Sequence, residues 1–195
     1  QPLDEHLHNV GRLSEKFAAA FMAGQWGRCV GELHDAGKAC PDFIARLEGR
    51  ANRVDHVTFG AQLAQKRGGK LGLLLAYVIC GHHGGLPDGG VQEGQLHHRL
   101  RKEITNTETL PELDCAKPLL FPFQLEREWS MFSLAFFTRM LFSCLTDADF
   151  LDTEAFCDPD KSALRRALQQ NDFGNLRNSL HAFISQKQAS QNRER

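Results

Sequence analysis

Along nearly the whole chain, apolar residues return at the spacing of an α-helix, while the period-two alternation of a half-buried strand is hard to find. That spacing confines the chain to an all-α domain. The first segment, 3–22, sets Leu7, Val10, Leu13, Phe17 and Phe21 on one stripe, with Asp4 and Glu5 where a helix dipole favours negative charge. A second helix over 26–37 stops near Gly37, and Pro41 opens a short third one because proline tolerates the first turn. Residues 56–66 and 70–83 predict a helical pair parted by Gly68 and Gly69 and closed by Gly84 and Gly85. The stretch 84–122 is rich in Gly, Pro and polar residues, with a further helix expected near 95–104. A long helix over 124–151 is so apolar on most faces that it is expected to run through the middle of the fold. Two weaker helices follow at 160–170 and 174–187.

At 195 residues the chain can bury roughly two-thirds of the surface its unfolded form exposes. One domain over 1–187 is therefore expected, with 188–195 a polar tail or linker; the opening at Gln1 rather than methionine fits an excised domain. The 23 Lys plus Arg nearly cancel the 24 Asp plus Glu, so no global field selects nucleic acid or a membrane surface. Any site for a polyanion must be local. Six scattered cysteines without a C-x-x-C pair read as reduced thiols of a cytoplasmic protein. The longest apolar run, "LGLLLAYVIC", is too short to span a bilayer.

Histidines paired with carboxylates carry the chemistry. His34 stands beside Asp35, His56 follows Asp55, His82 and His83 are adjacent at a helix end, and "TDADFLDTE" supplies Asp147, Asp149 and Asp152. Consecutive helical residues point about 100° apart, so His34 and Asp35 seldom clamp one ion, but they can frame two. A carboxylate gives one oxygen to each of two cations held roughly 3.5–4 Å apart. No C-x-x-C or H-x-x-x-H spacing frames these residues, which argues against a zinc finger. "KRGGKLG" lacks the Ser or Thr of a phosphate loop. The aromatic "WSMFSLAFFTRMLF" reads as core, and His97 and His98 as surface residues. Arg99, Arg101 and Lys102 fit a phosphate track or a solvated face equally well.

The order His6, His34-Asp35, His56, His82-His83 and Asp149, spread over separate helices, resembles the HD superfamily of metal-dependent phosphohydrolases. The strings "HLHNVG", "LHDAGKACPDF", "DHVTFGA", "GHHGGLPD" and "LTDADFLDTE", over residues 3–154, resemble the HD nuclease domain of the CRISPR-associated helicase-nuclease of type I systems. The resemblance implies a helical bundle with a dinuclear metal site and ligation by His6, His34, Asp35, His56, His82, His83 and Asp149. Asp35 would bridge, His6, His34 and Asp149 completing one shell and His56, His82 and His83 the other. The "H-L-x-N-V" pattern aligns His6 rather than His8, and the "A-D-x-x" string favours Asp149 over Asp147. Lys38 matches the lysine of the family's H-D-x-G-K motif, near the scissile phosphate, so Asp35 and Lys38 are the expected catalytic residues. Val57, where the family often has serine, and Gly11, where alanine is common, depart from the pattern without removing a ligand.

Two divalent ions are implied. Imidazole and carboxylate together suit Mn, Fe, Co, Ni or Zn better than Mg and leave the identity open. The implied function is metal-dependent cleavage of single-stranded DNA, endo or exo, during CRISPR interference in antiviral defence. Its partners would be a helicase domain in cis or trans and an RNA-guided surveillance complex, with no membrane partner. Two other functions fit the same ligands: an HD-type nucleotide or cyclic-dinucleotide phosphohydrolase, and a non-catalytic, metal-stabilised interaction module.

Overall fold

The computed structural model describes residues 1–50, 52, 54–103, 119–168 and 173–191, and among these it is helical with no strand. The chain divides into two compact units, Gln1–Thr153 and Glu154–Arg195. The elements are α1 (Leu3–Ala18), α2 (Gly24–Leu33), α3 (Pro41–Leu47), α4 (Val57–Gly81), α5 (Leu96–Leu100), α6 (Ser130–Cys157), α7 (Pro159–Leu168) and α8 (Phe173–Gln191), with short 3₁₀ turns at Ala19–Phe21 and Ala36–Ala39. No helix among the described residues is long and apolar enough to cross a membrane.

In the first unit, α1 carries Asp4 and Glu5 in its first turn and Lys16 in its last, matching the helix dipole at both ends. Its stripe is the expected one: Leu7 and Val10 are buried, and Leu13, Phe17 and Phe21 pack against the core. The helix ends before residue 22 because the chain tightens into the 3₁₀ turn and Met22 takes a left-handed conformation, φ 60°. The first two helices then meet backbone to backbone. A Cβ on Gly31 of α2 would lie 2.5 Å from the Cα of Gly11 on α1, an approach open only to glycine. Gly11 therefore stands at this crossing for lack of room.

Helix α2 ends at Leu33, short of the expected Gly37. His34 is still helical, but Asp35 leaves the helix at φ −111°, ψ 15°, and the 3₁₀ turn takes over. Gly37 in that turn touches the segment before α4, where an added Cβ would collide with the carbonyl oxygen of His56. Helix α4 contains the predicted break: Gly69 sits at φ 55°, ψ −127°, outside helical geometry. A Cβ on Gly72 would run into the carbonyl of Ala64, so the two halves fold back on each other as an αα-hairpin. Its ends, His56 and His82, thereby return to the same place.

Helix α6 starts and ends about one and a half turns later than its pattern predicts. In the first unit it presents Phe137, Leu141, Cys144, Leu145 and Ala148 to the core, where Val10, Trp26, Leu75 and Ile79 also lie. Burying each such Val, Leu, Ile or Phe stabilises by about 1.5–3 kcal/mol. Ser14 of α1 donates to the Cys144 carbonyl at 3.3 Å and fixes the height of α6 against α1. The expectation that the aromatic stretch of α6 is core is corrected at its start: Met131, Phe132 and Phe136 are exposed, the two phenylalanines stacked with centroids 6.1 Å apart. Helical periodicity shows that a face is apolar and not that anything covers it.

In the second unit, Arg165 of α7 donates two hydrogen bonds to Glu154, at 2.6 and 2.9 Å, and Lys161 stands 3.2 Å from the same carboxylate. These cations hold the Glu154 pKa down at about 2. Leu176, Leu180 and Phe183 form an exposed stripe on α8.

Candidate metal centre

Four segments of the first unit converge on Asp35. From α1 comes His6, from the loosened end of α2 come His34 and Asp35, from the two ends of the α4 hairpin come His56, His82 and His83, and from α6 comes Asp149. The Asp35 carboxylate is 1% exposed and divides its two oxygens between two groups of imidazoles. Oδ2 lies 3.7 Å from His6 Nε2 and 3.3 Å from His34 Nε2. Oδ1 lies 3.3 Å from His56 Nε2 and 3.5 Å from His82 Nε2. Asp149 Oδ1 faces the first group, 3.4 Å from His6 and 3.7 Å from His34. His83 Nε2 is 3.1 Å from His56 Nε2 and belongs with the second.

These separations suit ligands better than hydrogen bonds. Donors held 2.0–2.2 Å from one ion lie about 3.0–3.5 Å from each other. Three groupings bring their ligand atoms within 4.8 Å of one another and could hold an ion: Asp35 with His56, His82 and His83; His6 with His34 and Asp35; and His34 with His82 and Asp149. Both Asp35 oxygens, His34 Nε2 and His82 Nε2 are buried without a directed hydrogen bond. Buried polar atoms are normally satisfied, so orphans gathered at one point fit a cation there.

The imidazoles are oriented from behind. His34 Nδ1 and His82 Nδ1 each lie 2.7 Å from a backbone carbonyl three residues earlier, Gly31 and Ile79. A carbonyl can only accept, so each Nδ1 carries the proton and each Nε2 lone pair faces the centre. His6 differs, because its Nδ1 donates to the Asp152 carboxylate at 2.7 Å. Asp152 is 7% exposed. Sequence reasoning counted it among the carboxylates of its string but gave it no role. The available signal was its spacing: three residues after Asp149, it shares that residue's face of α6.

Electrostatics without a cation show how much negative charge the centre concentrates. Burial opposes protonation of His6, yet the carboxylates of Asp149, Asp35 and Asp152 around it raise its pKa to about 10. His34 is fully buried and still raised to about 9, chiefly by the charge of Asp35. Burial alone would raise Asp35 and Asp149, but their histidine neighbours hold both below the usual carboxylate range. His83 goes the other way, pushed down to about 4 by desolvation and by His82. Lys38 Nζ stands 2.5 Å from Asp35 Oδ2 and is about one-third exposed, so it borders both the centre and solvent.

The residues set aside fall elsewhere. His8 is exposed and faces Arg28 at 3.2 Å, and Asp147 is exposed on α6. His97 and His98, expected at the surface, are half-buried in α5 because Leu96 beneath them anchors that helix in the core. The cysteines described are free thiols, Cys157 alone among them being exposed; Cys115 lies outside the described residues.

Compared with protein families, the chain matches the model of the HD domain over residues 3–114. No curated protein matches the chain.

Proposed function

Since the chain belongs to the HD domain family, whose members are generally metal-dependent phosphohydrolases, we propose that it is a nuclease that hydrolyses single-stranded DNA in CRISPR interference. The observation that carries the hydrolytic part is the division of the Asp35 oxygens between two imidazole groups, with Lys38 at the rim. The nuclease and CRISPR part is supported by the five motif strings. In this reading Asp35, with His6, His34 and Asp149, would hold one divalent ion, and Asp35, with His56, His82 and His83, would hold a second. The site residues fit that load through their orphaned atoms. Metal identity stays among Mn, Ni, Co, Fe, Zn and Mg.

Bound cations of this kind supply Lewis acidity, which acidifies water and neutralises phosphoryl charge. The chain's own residues do the rest. Asp152 and the Gly31 and Ile79 carbonyls keep three imidazoles in the tautomer that presents Nε2 inward. Lys38 meets the phosphate from the solvent side, where its ammonium offsets charge that builds as the diester is attacked. A helicase, in cis or trans, would feed the displaced strand of a target marked by an RNA-guided surveillance complex, with the segment from 188 as the junction.

The test is incubation of circular single-stranded DNA, which has no ends, with the chelator-treated protein and Mn, Ni, Co or Mg in turn, beside Asp35→Ala. Metal-dependent cutting lost in the variant supports the nuclease. Intact circles with hydrolysis of nucleotides or cyclic dinucleotides move the assignment to a small-molecule phosphohydrolase, and inertness toward both leaves an interaction module.

A further inference from the structure

Two cavities of the first unit share a lining residue, and one of them reaches the metal centre. The first, about 730 Å³, has His56 and His83 at its inner end and Arg46, Arg99 and Lys102 on its walls, with Asp55 and Glu93 as its carboxylates. Gly84 and Gly85 in its lining are exposed, so it is open-sided. The second, about 650 Å³, begins at the same Lys102 and continues to Lys66 and Lys70, and no carboxylate is among its lining residues. Shared Lys102 makes them one path, leading from the metal ligands to the turn of the α4 hairpin.

Resting on the proposed function, we infer that a single-stranded nucleic acid lies along this path, its phosphates held in succession by Arg99, Lys102 and the pair Lys66 and Lys70. The wall is built to stay in place. Gln62 of α4 donates to the carbonyls of Arg99 at 3.1 Å and Lys102 at 2.7 Å, tying the end of α5 to the hairpin. Asp55, itself fixed by Thr58 at 2.7 and 3.1 Å, draws the Arg99 and Lys102 side chains to one side, at 3.8 and 3.2 Å. Lys66 and Lys70 are exposed and form no ion pair among the described residues. Cations without partners are the ones a polyanion engages, releasing its counterions as it does so.

Length separates this reading from a nucleotide pocket. Lys66 is ten residues along the helix from His56, which is about 15 Å at the helical rise of 1.5 Å per residue. A mononucleotide held at the metal centre does not reach that far, whereas a strand of several nucleotides does. The cavity volumes alone do not decide, since small-molecule sites occupy about 300–1,000 Å³.

The test uses the double variant Lys66→Gln/Lys70→Gln, both positions being exposed. Binding of a fluorescent 15-nucleotide strand is followed by anisotropy in chelator, so that nothing is cut, across a salt series. Hydrolysis of bis(p-nitrophenyl) phosphate with added Mn is measured on the same preparations. The variant should bind the strand about tenfold more weakly, with a salt slope shallower by about 1.4, at ~0.7 for each single-strand phosphate that is no longer neutralised. Hydrolysis of the small diester should be unchanged. Strand binding within twofold of the parent, with the same slope, overturns the path, as does a parent protein that binds no strand at low salt. Absence of diester hydrolysis in the parent would instead count against the proposed function, and the anisotropy result would still decide the path.

Discussion

Replacing Asp152 tests how the centre is held, because it leaves every proposed metal ligand in place. Its carboxylate accepts the Nδ1 proton of His6 at 2.7 Å in a site 7% exposed. Hydrogen bonds involving a charged group contribute about 1.5–3 kcal/mol. At about 1.4 kcal/mol per decade that is roughly a 10- to 150-fold change in equilibrium, in line with the ~10–100-fold loss of metal affinity seen when a partner behind a ligating histidine is removed. Asp152→Asn keeps an acceptor oxygen and loses the charge, so Mn or Co affinity should fall about tenfold. Asp152→Ala also frees the ring to turn, and its loss should approach a hundredfold. Isothermal titration of metal into chelator-treated protein reads both, with a melting curve of each metal-free variant to confirm the fold. Affinity for Asp152→Ala within twofold of the parent refutes the reasoning.

Lys38→Ala should cut the rate of phosphodiester hydrolysis by about 10²–10³-fold while metal affinity holds or rises, because the ammonium 2.5 Å from Asp35 Oδ2 competes with a cation for that oxygen; weaker metal binding contradicts this. Metal affinity should climb from pH 6 to 9, since His6 and His34, raised to about 10 and 9, must release protons before they can ligate. A pH-independent titration would deny it. In the metal-free protein the same histidines contribute stability that is full below their ordinary 6.5 and lost as pH rises through about 9 to 10. Asp35 and Asp149, depressed from 3.8, contribute above that value and lose it on acidification, so chelated melts should fall on both sides. Gly31→Ala forces a Cβ to 2.5 Å from the Gly11 Cα and should cost about 1–3 kcal/mol or more by thermal melting.

Much of the helical order was legible because it rests on local rules. Apolar spacing located α1, Pro41 opened α3, and the two glycines at 68 and 69 marked the reversal within α4. The residues that meet around Asp35 could also be picked out, because each lies inside a short recognisable string. What escaped notice depends on relations between segments. Backbone contact of Gly11 with Gly31 has no signature in either helix alone. The Gly31 and Ile79 carbonyls that orient His34 and His82 are features any helix possesses, so no residue type announces them. Asp152 looked like one carboxylate among several until α6 was set against α1. The exposed Met131, Phe132 and Phe136 read as core because a sequence records a side chain's own hydrophobicity and nothing of its neighbours.

The contact between His6 and Asp152 spans 146 positions of the chain. Helices α1 and α2 can pair as soon as both are made, but the partner that orients His6, and Asp149 beside it, come from a helix synthesised far later. With elongation at about 5–20 residues per second, His6 waits roughly 7–30 s for them. A chain translated only as far as α4 therefore has no complete centre, and under the proposed function its ability to cut nucleic acid is withheld until α6 has emerged from the ribosome.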